Sequence, residues 1–427
     1  MTDPVSFFLD VAATYPRSFW LDGGGAREWS GRRSMVGWLD ADDVSLTYDA
    51  AVRVVTRHVG GASTVVGDDV FAALEAELAA GGPRDQWFGY LGYACRPDLP
   101  AAVVPSDAPG RVPDAVWMRP SRVRVFEHPP AGAGGGFDQP PVSRDQPPPS
   151  TAVPVDYAVA FDRVQEHLRA GNTYEVNLTH RLTRHVGLDP VEAYLRLRRS
   201  NPAPYAGFLQ HDVPGHRAWL LSSSPERYAL VGADRTLETR PIKGTTPRGA
   251  STEEDQRLRE LLRTAPKFRS ENLMVLDLLR SDLARVCEPG SVVVPRLMEV
   301  ESYPSLHQLV STVRGRLRED VSTVQALRAL FPAGSMTGAP KLRTMEVIEE
   351  VEATPRGVYA GAFGWLAADG RADLGVVIRS LTTGGDGRWE LGTGGGITVR
   401  SEVAEEHAES QWKAERLLRV LEPAPAG

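Results

Sequence analysis

Residues 357–399, GVYAGAFGWLAADGRADLGVVIRSLTTGGDGRWELGTGGGITV, carry aromatic and β-branched residues in short runs separated by two tight-turn signals, AADGRA and GGDGR. Runs joined so closely pair as antiparallel strands. The flanking chain has a different period. TEEDQRLRELLRT and KFRSENLMVLDLLRSDLARV place leucines three and four apart, VDYAVAFDRVQEHLRA ends at Gly171 before the strand-like TYEVNLTHRL, and EVAEEHAESQWKAERLLRVLE reads as a last helix. Long helices alternating irregularly with antiparallel strands predict an α+β fold rather than a regular βαβ repeat.

The first part, residues 1–126, reads as short strands (RRSMVGWLD, VSLTYDA, WFGYLGYACRPD) interrupted by one helix, DDVFAALEAELAAGG, closed by Gly81 and Gly82. Residues 127–154 are rich in Pro and Gly without periodicity and predict an exposed, poorly ordered connector to a second part, 155–421. Composition does not say whether the two parts are separate domains or share one core. With 42% hydrophobic residues, the 427-residue chain is no disordered polymer. A formal charge of −7 without a basic run argues against nucleic acid or an anionic membrane as partner. Cys95 and Cys287 form neither a disulfide framework nor a zinc pattern, which fits a reducing cytoplasm. No basic leader and no run of about 18 apolar residues supports secretion or membrane spanning.

The chain uses lysine only four times, at Lys243, Lys267, Lys341 and Lys413, within 48 basic residues. Charge alone does not need them, since arginine serves elsewhere. A desolvated ammonium can lose its proton and act as a nucleophile, and a guanidinium does not. Lys243 sits in TRPIKGTTPRG, where Pro241 and Gly244 would hold it in a defined place; a lysine left by chance in a solvated turn is the other reading. Glu226 in SSSPERY is either a catalytic acid or a surface partner of Arg227. Glu406 and Glu409 share one face of the final helix, and Glu271 lies off the leucine stripe of its own. Carboxylates converging from two helices suit Mg²⁺, although Glu409 and Lys413 also make an ordinary i,i+4 pair. LGTGGGIT and FPAGSMTGAPK are glycine-containing candidates for anion binding, the latter with Thr337 and Lys341 as donors. Arg379, flanked by apolar strand residues, is either structurally paired or a carboxylate clamp.

Taken together, FGYLGY, AGNTYEVNLTHR, SNPAPYAGFL, SSSPERY, TRPIKGT, ENLMVLDLLRSDLARV, HQLVSTVRG, FPAGSMTGAPK, RGVYAGAFGW and GTGGGI, in this order, resemble the chorismate-utilising enzymes. Within that family they are most similar to the aminodeoxychorismate synthase component I branch. The resemblance implies a single large domain of two packed antiparallel sheets flanked by helices, with 155–421 as the chorismate-binding catalytic region. Isochorismate and salicylate synthases carry a lysine where this chain has Glu175, and an acid where it has Pro241. Anthranilate synthases carry alanine where this chain has Lys243.

By this resemblance Lys243 is a nucleophile that adds to ring C2, and Glu226 is the acid that protonates the departing C4 hydroxyl. Mg²⁺ on Glu271, Glu406 and Glu409 would bind the ring carboxylate. Tyr359, Arg379, the Gly394–Gly395 backbone and Lys413 would hold the substrate's carboxylates, with Thr245, His307 and Thr337 as pocket residues. The implied reaction is amination of chorismate to 4-amino-4-deoxychorismate. No G-x-C-x-G nucleophile elbow surrounds either cysteine, so ammonia is expected from a glutaminase subunit in a heterodimer. Phe268 replaces an acid usual in relatives one helical turn before Glu271, and FWLDGG departs from the form of a tryptophan-binding region. Anthranilate synthase and a catalytically silent chorismate- or partner-binding relative are the alternatives.

Overall fold

The computed structural model describes residues 3–23, 32–128, 152–303 and 306–422. Most of the connector expected over 127–154 lies outside the described residues. Around it, a strand ends at Glu127 and a helix begins at Val155. The helices read from sequence appear as Val70–Ala80, Val155–Arg169, Thr252–Thr264, Pro266–Ala284 and Val403–Val420. Local chemistry sets their ends: Asp69 accepts from the Phe71 and Ala72 amides at 2.9 and 3.1 Å, and Gly171 leaves its helix at φ +73°.

The strands form two wholly antiparallel sheets. One runs Gly338–Ala339, Glu175–His185, Arg388–Ile397, Ser380–Thr383, Ala218–Ser224, Tyr205–His211, Arg17–Asp22, Arg33–Trp38 and Arg122–Glu127. The other runs Ile242–Pro247, Leu306–Arg316, Thr236–Arg240, Arg227–Val231, Ala372–Val376, Ala362–Ala367, Gln86–Leu91, Ala115–Arg119, Val44–Asp49, Val54–Val59 and Ala62–Gly67, with Val293–Ser302 also on Leu306–Arg316. Strands from before and after the connector pair directly in both: Arg17–Asp22 with Tyr205–His211, and Gln86–Leu91 with Ala362–Ala367. The described chain is therefore one α+β domain.

Between the sheets, Phe19 of one stacks on Phe88 of the other, ring centroids 4.0 Å apart. Outside them, helices Pro4–Thr14, Pro190–Ser200 and Val403–Val420 cover Trp20, Trp219 and Trp389. Helices Val70–Ala80, Pro266–Ala284 and Thr323–Leu330 cover the second sheet. Central strands are consequently buried on both faces, Phe19 inward and the adjacent Trp20 outward, and read as continuous apolar runs.

The strand run 357–399 does not stay in one sheet. Ala362–Ala367 and Ala372–Val376 belong to the second sheet, Ser380–Thr383 and Arg388–Ile397 to the first. The chain crosses at 377–379, and crosses the other way at Pro225–Glu226, between Ala218–Ser224 and Arg227–Val231. These two crossings flank the functional site.

A polar cluster also ties the sheets. Thr47 Oγ1 lies 2.9 Å from His58 Nε2 and 3.2 Å from His216 Nδ1, and Ser45 Oγ 3.0 Å from His211 Nε2. Burial, and then the neighbouring His216, hold His58 down to about 4; burial holds His211 down to about 3. Neutral in the folded state and ordinary in the unfolded chain, these imidazoles stabilise the fold above about pH 6.5. That contribution is lost as pH falls through the depressed values, on the order of 1.4 kcal/mol per pKa unit. Between pH 7 and pH 5 the wild-type urea midpoint should therefore change less favourably than that of His58→Gln, in which this contribution is absent; an equal slope in the variant refutes the assignment.

Candidate active site

The pocket between the crossings is an opening of about 1010 Å³ lined from both sheets and from helices Pro266–Ala284 and Val403–Val420. Lys243 enters it through a bulge. Ile242 faces Val310 and Thr245 faces Gln308, so this strand carries one residue more than its partner, and Gly244 takes φ +96°. Phe268 packs on that bulge: a Cβ at Gly244 would stand 3.1 Å from its ring. The Lys243 side chain is 10% exposed and ion-paired with Glu175, whose own side chain is 1% exposed. The other Glu175 oxygen, Oε2, has no hydrogen-bond partner among the described residues. Gly396 makes room for the pair, since a Cβ there would lie 2.3 Å from Glu175 Oε1 and 3.0 Å from Lys243 Nζ.

Burial alone would lower the Lys243 ammonium, but Glu175, with Glu271 and Glu226 behind it, outweighs burial and raises it. The resting lysine is thus a held ammonium, not the free amine that desolvation by itself would produce. Glu226, buried at the second crossing, is pushed up to about 7 by burial, with hydrogen bonding from Ser335 and the charge of Lys243 pulling the other way. A carboxyl poised there can be a proton donor near neutrality.

Glu271, Glu406 and Glu409 all line the pocket. Burial raises Glu271 to about 7, opposed by Lys243, and leaves its Oε1 without a partner among the described residues. Glu406 accepts from Lys267 at 3.3 Å and Glu409 from Lys413 at 2.7 Å. Among the described residues no three acidic, histidine or cysteine side chains converge on one point as a metal cluster. The orphaned buried oxygen and the all-carboxylate donor set nevertheless fit a hard divalent cation, for which Lys267 would have to withdraw from Glu406 and Lys413 from Glu409.

Arg379 sits at the first crossing with φ +51°, a left-handed backbone costing roughly 1–2 kcal/mol for a side-chain-bearing residue. Burial and Arg416 lower it to about 10, and its guanidinium lies 6.0 Å from the centre of the Trp412 ring, with no ion pair to a carboxylate among the described residues. An unpaired guanidinium lining a pocket is suited to bind a carboxylate. Tyr359, Thr245, Gly394 and Gly395 also line the space, and Lys413 donates to the Gly394 carbonyl at 3.0 Å.

His307 and Thr337 do not line it. His307 is held behind the wall by Ser302 at 2.7 Å and Asp255 at 3.1 Å, and its strand neighbour Gln308 faces the pocket instead. Thr337 is buried and bonded to the Gly334 carbonyl at 3.2 Å, with Ser335 and Met336 in front. Lys341 is no anion donor. Its ammonium is spent on Asp282 at 2.5 Å and on the Leu330 and Pro332 carbonyls at 2.9 and 3.1 Å. Sequence reasoning assigned no role to Lys267, Asn177, Gln308 or Ser335, all of which line the pocket. The scarcity of lysine was a usable signal for Lys267, since Lys243, Lys267 and Lys413 meet there.

The chain is 39% identical to aminodeoxychorismate synthase of Streptomyces pristinaespiralis over 473 aligned positions, covering 100% of this chain and 64% of that protein. It is 43% identical to aminodeoxychorismate synthase component 1 of Klebsiella aerogenes, over 62% of this chain and 58% of that one. It thus spans less than two thirds of either relative's length. Among solved structures, anthranilate synthase component I of Streptococcus pneumoniae superposes with a TM-score of 0.72 at 25% identity, covering 91% of this chain and 92% of that one. The model of the family described as chorismate binding enzyme matches residues 18–419, which takes in both sheets and every pocket residue named above, and the chain belongs to that family.

Proposed function

We propose that this chain aminates chorismate at C4, giving 4-amino-4-deoxychorismate. The observation that carries the proposal is Lys243: a buried amine on a strand bulge, held by Glu175 in a pocket that also contains Glu226 at about 7. The name of the Streptomyces pristinaespiralis relative supports it. In this reading Lys243 passes its proton to Glu175 and adds to ring C2, while Glu226 protonates the C4 hydroxyl, which leaves as water. Ammonia then enters at C4 and the lysine departs, so that chorismate and ammonia become the amino acid and water. Arg379, Lys413, Tyr359 and the Gly394–Gly395 backbone hold the two substrate carboxylates, and Thr245 borders the ring. His307 and Thr337 act only by supporting the wall. Mg²⁺ on Glu271, Glu406 and Glu409 would supply charge stabilisation at the ring carboxylate.

Ammonia comes from a glutaminase partner. Burial raises the Cys95 thiol well above its ordinary value and Cys287 to about 11, so neither serves as a thiolate nucleophile. Both are free and buried, which suits the cytoplasm as the working compartment. No helix among the described residues is long and apolar enough to cross a membrane. Residues 1–126 and 155–421 act as one catalytic unit joined by the 127–154 connector.

The decisive assay combines the chain with chorismate, Mg²⁺ and ammonium at alkaline pH, with the product identified by mass spectrometry and pyruvate measured by a coupled enzyme. A non-aromatic amino acid without stoichiometric pyruvate is expected. Pyruvate formed in step with chorismate loss, together with anthranilate fluorescence, would move the chain to the anthranilate branch. Unchanged chorismate across metals and pH would leave a silent binding relative.

A further inference from the structure

We infer that Lys267 is an internal counter-ion of the candidate cation site: it neutralises Glu271, Glu406 and Glu409 while no metal is bound, and is displaced when a divalent cation arrives. The inference rests on the reading of these three glutamates as metal ligands, whichever product the chain makes. Lys267 and Glu271 stand one turn apart on helix Pro266–Ala284, so they share a face, and both line the pocket. Glu406 comes from the first turn of helix Val403–Val420, and Lys267 Nζ reaches its Oε1 at 3.3 Å. Glu271 and Glu406 are only 9% and 3% exposed, so water screens their charges poorly. Burial by itself would lower the Lys267 ammonium, and Glu406, Glu271 and Glu409, in that order, outweigh it. One ammonium thus answers to all three carboxylates.

Its hold is of a kind that a stronger cation breaks. The contact with Glu406 is single and long beside those of Lys341, which has Asp282 at 2.5 Å and two carbonyls, and the Lys267 side chain remains 39% exposed. Its position weakens it further. Lys267 stands in the first turn of its helix, where the free amide N–H groups disfavour a cation, and that turn carries neither an acid nor a side-chain cap. Its four-carbon stem can swing the charge into water, so displacement strands no buried ammonium. Lys413 is anchored differently, by Glu409 on its own helix at 2.7 Å and by the Gly394 carbonyl at 3.0 Å. A hard divalent ion can take several carboxylate oxygens at once, among them Glu271 Oε1, which has no partner among the described residues. Loading the cation then also frees an ammonium at the pocket mouth for an incoming carboxylate.

Mn²⁺ titrated into the full chain without chorismate, and followed by the paramagnetic resonance signal of the free ion, reads the site without turnover. A site closed by its own lysine shows an affinity reduced by the fraction of time it stands open, so Lys267→Met should bind Mn²⁺ about tenfold or more tightly than wild type. Lys267→Gln should do the same, whereas Lys267→Arg, which keeps the charge, should stay within about threefold of wild type. In EDTA the methionine variant should unfold at lower urea than wild type, and Mn²⁺ should restore it, because the glutamates have lost their counter-charge. Equal Mn²⁺ affinities in wild type and the two neutral variants overturn the inference. Weaker binding in the neutral variants overturns it too, since Lys267 would then support the ion rather than stand in for it. Glu271→Gln tests the metal reading separately: if it leaves wild-type Mn²⁺ affinity unchanged, the ion lies elsewhere, and the assignment of the three glutamates falls together with the role of Lys267.

Discussion

Lys243→Arg should lower aminodeoxychorismate formation by ~10³-fold or more while circular dichroism and the urea midpoint stay near wild type. Arginine retains the charge that Glu175 requires, so the buried ion pair survives and no carboxylate is left stranded. What it lacks is an accessible neutral form. The wild-type lysine is itself raised by Glu175, so its proton must be handed over inside the pocket. Glu175 Oε2, without a hydrogen-bond partner among the described residues, would be the site for that proton in the proposed mechanism. Intact-mass analysis of wild type with chorismate and no ammonia should show a covalent adduct lost in the arginine variant. Near-normal activity in that variant, or an adduct on another residue, removes Lys243 from the mechanism.

Glu226→Gln should cost about 10²–10⁴-fold in kcat, the range for a single general acid. The pH profile distinguishes an acid from a merely structural carboxyl. Because burial raises Glu226 to about 7, its protonated form declines above neutrality, so kcat at saturating free ammonia should fall with rising pH through that region. The glutamine variant cannot ionise and should lose this limb along with the rate. A variant that keeps the limb, or loses less than about threefold in kcat, would show that Glu226 does not protonate the leaving hydroxyl.

The distance between what sequence patterns reveal and what the fold decides is visible in the run 357–399. Its strands and turns were legible because side-chain alternation and turn glycines are local properties. Its division between two sheets was not, because the choice of strand partner depends on contacts hundreds of residues away, such as Ala362–Ala367 against Gln86–Leu91. That division is what brings Arg379 and Glu226 to the same place.

The same contrast runs through the site. The shortage of lysine marked out the chemistry-bearing half of the chain, and the glycine run 392–396 signalled close backbone approach. Neither told Lys341 from Lys413. One ammonium turns inward to Asp282 and two carbonyls, the other into the pocket beside Gly394, and only the packing of helix against strand distinguishes them. His307 and Gln308 differ by one position and therefore by one face of a strand. The limits of the helices named in the sequence, the turn positions and the α+β class were set by the amino-acid sequence, through local propensity and side-chain periodicity. Which carboxylate meets which lysine, and the protonation each then adopts, was decided by tertiary structure, since burial and charge pairing act between residues far apart in the chain.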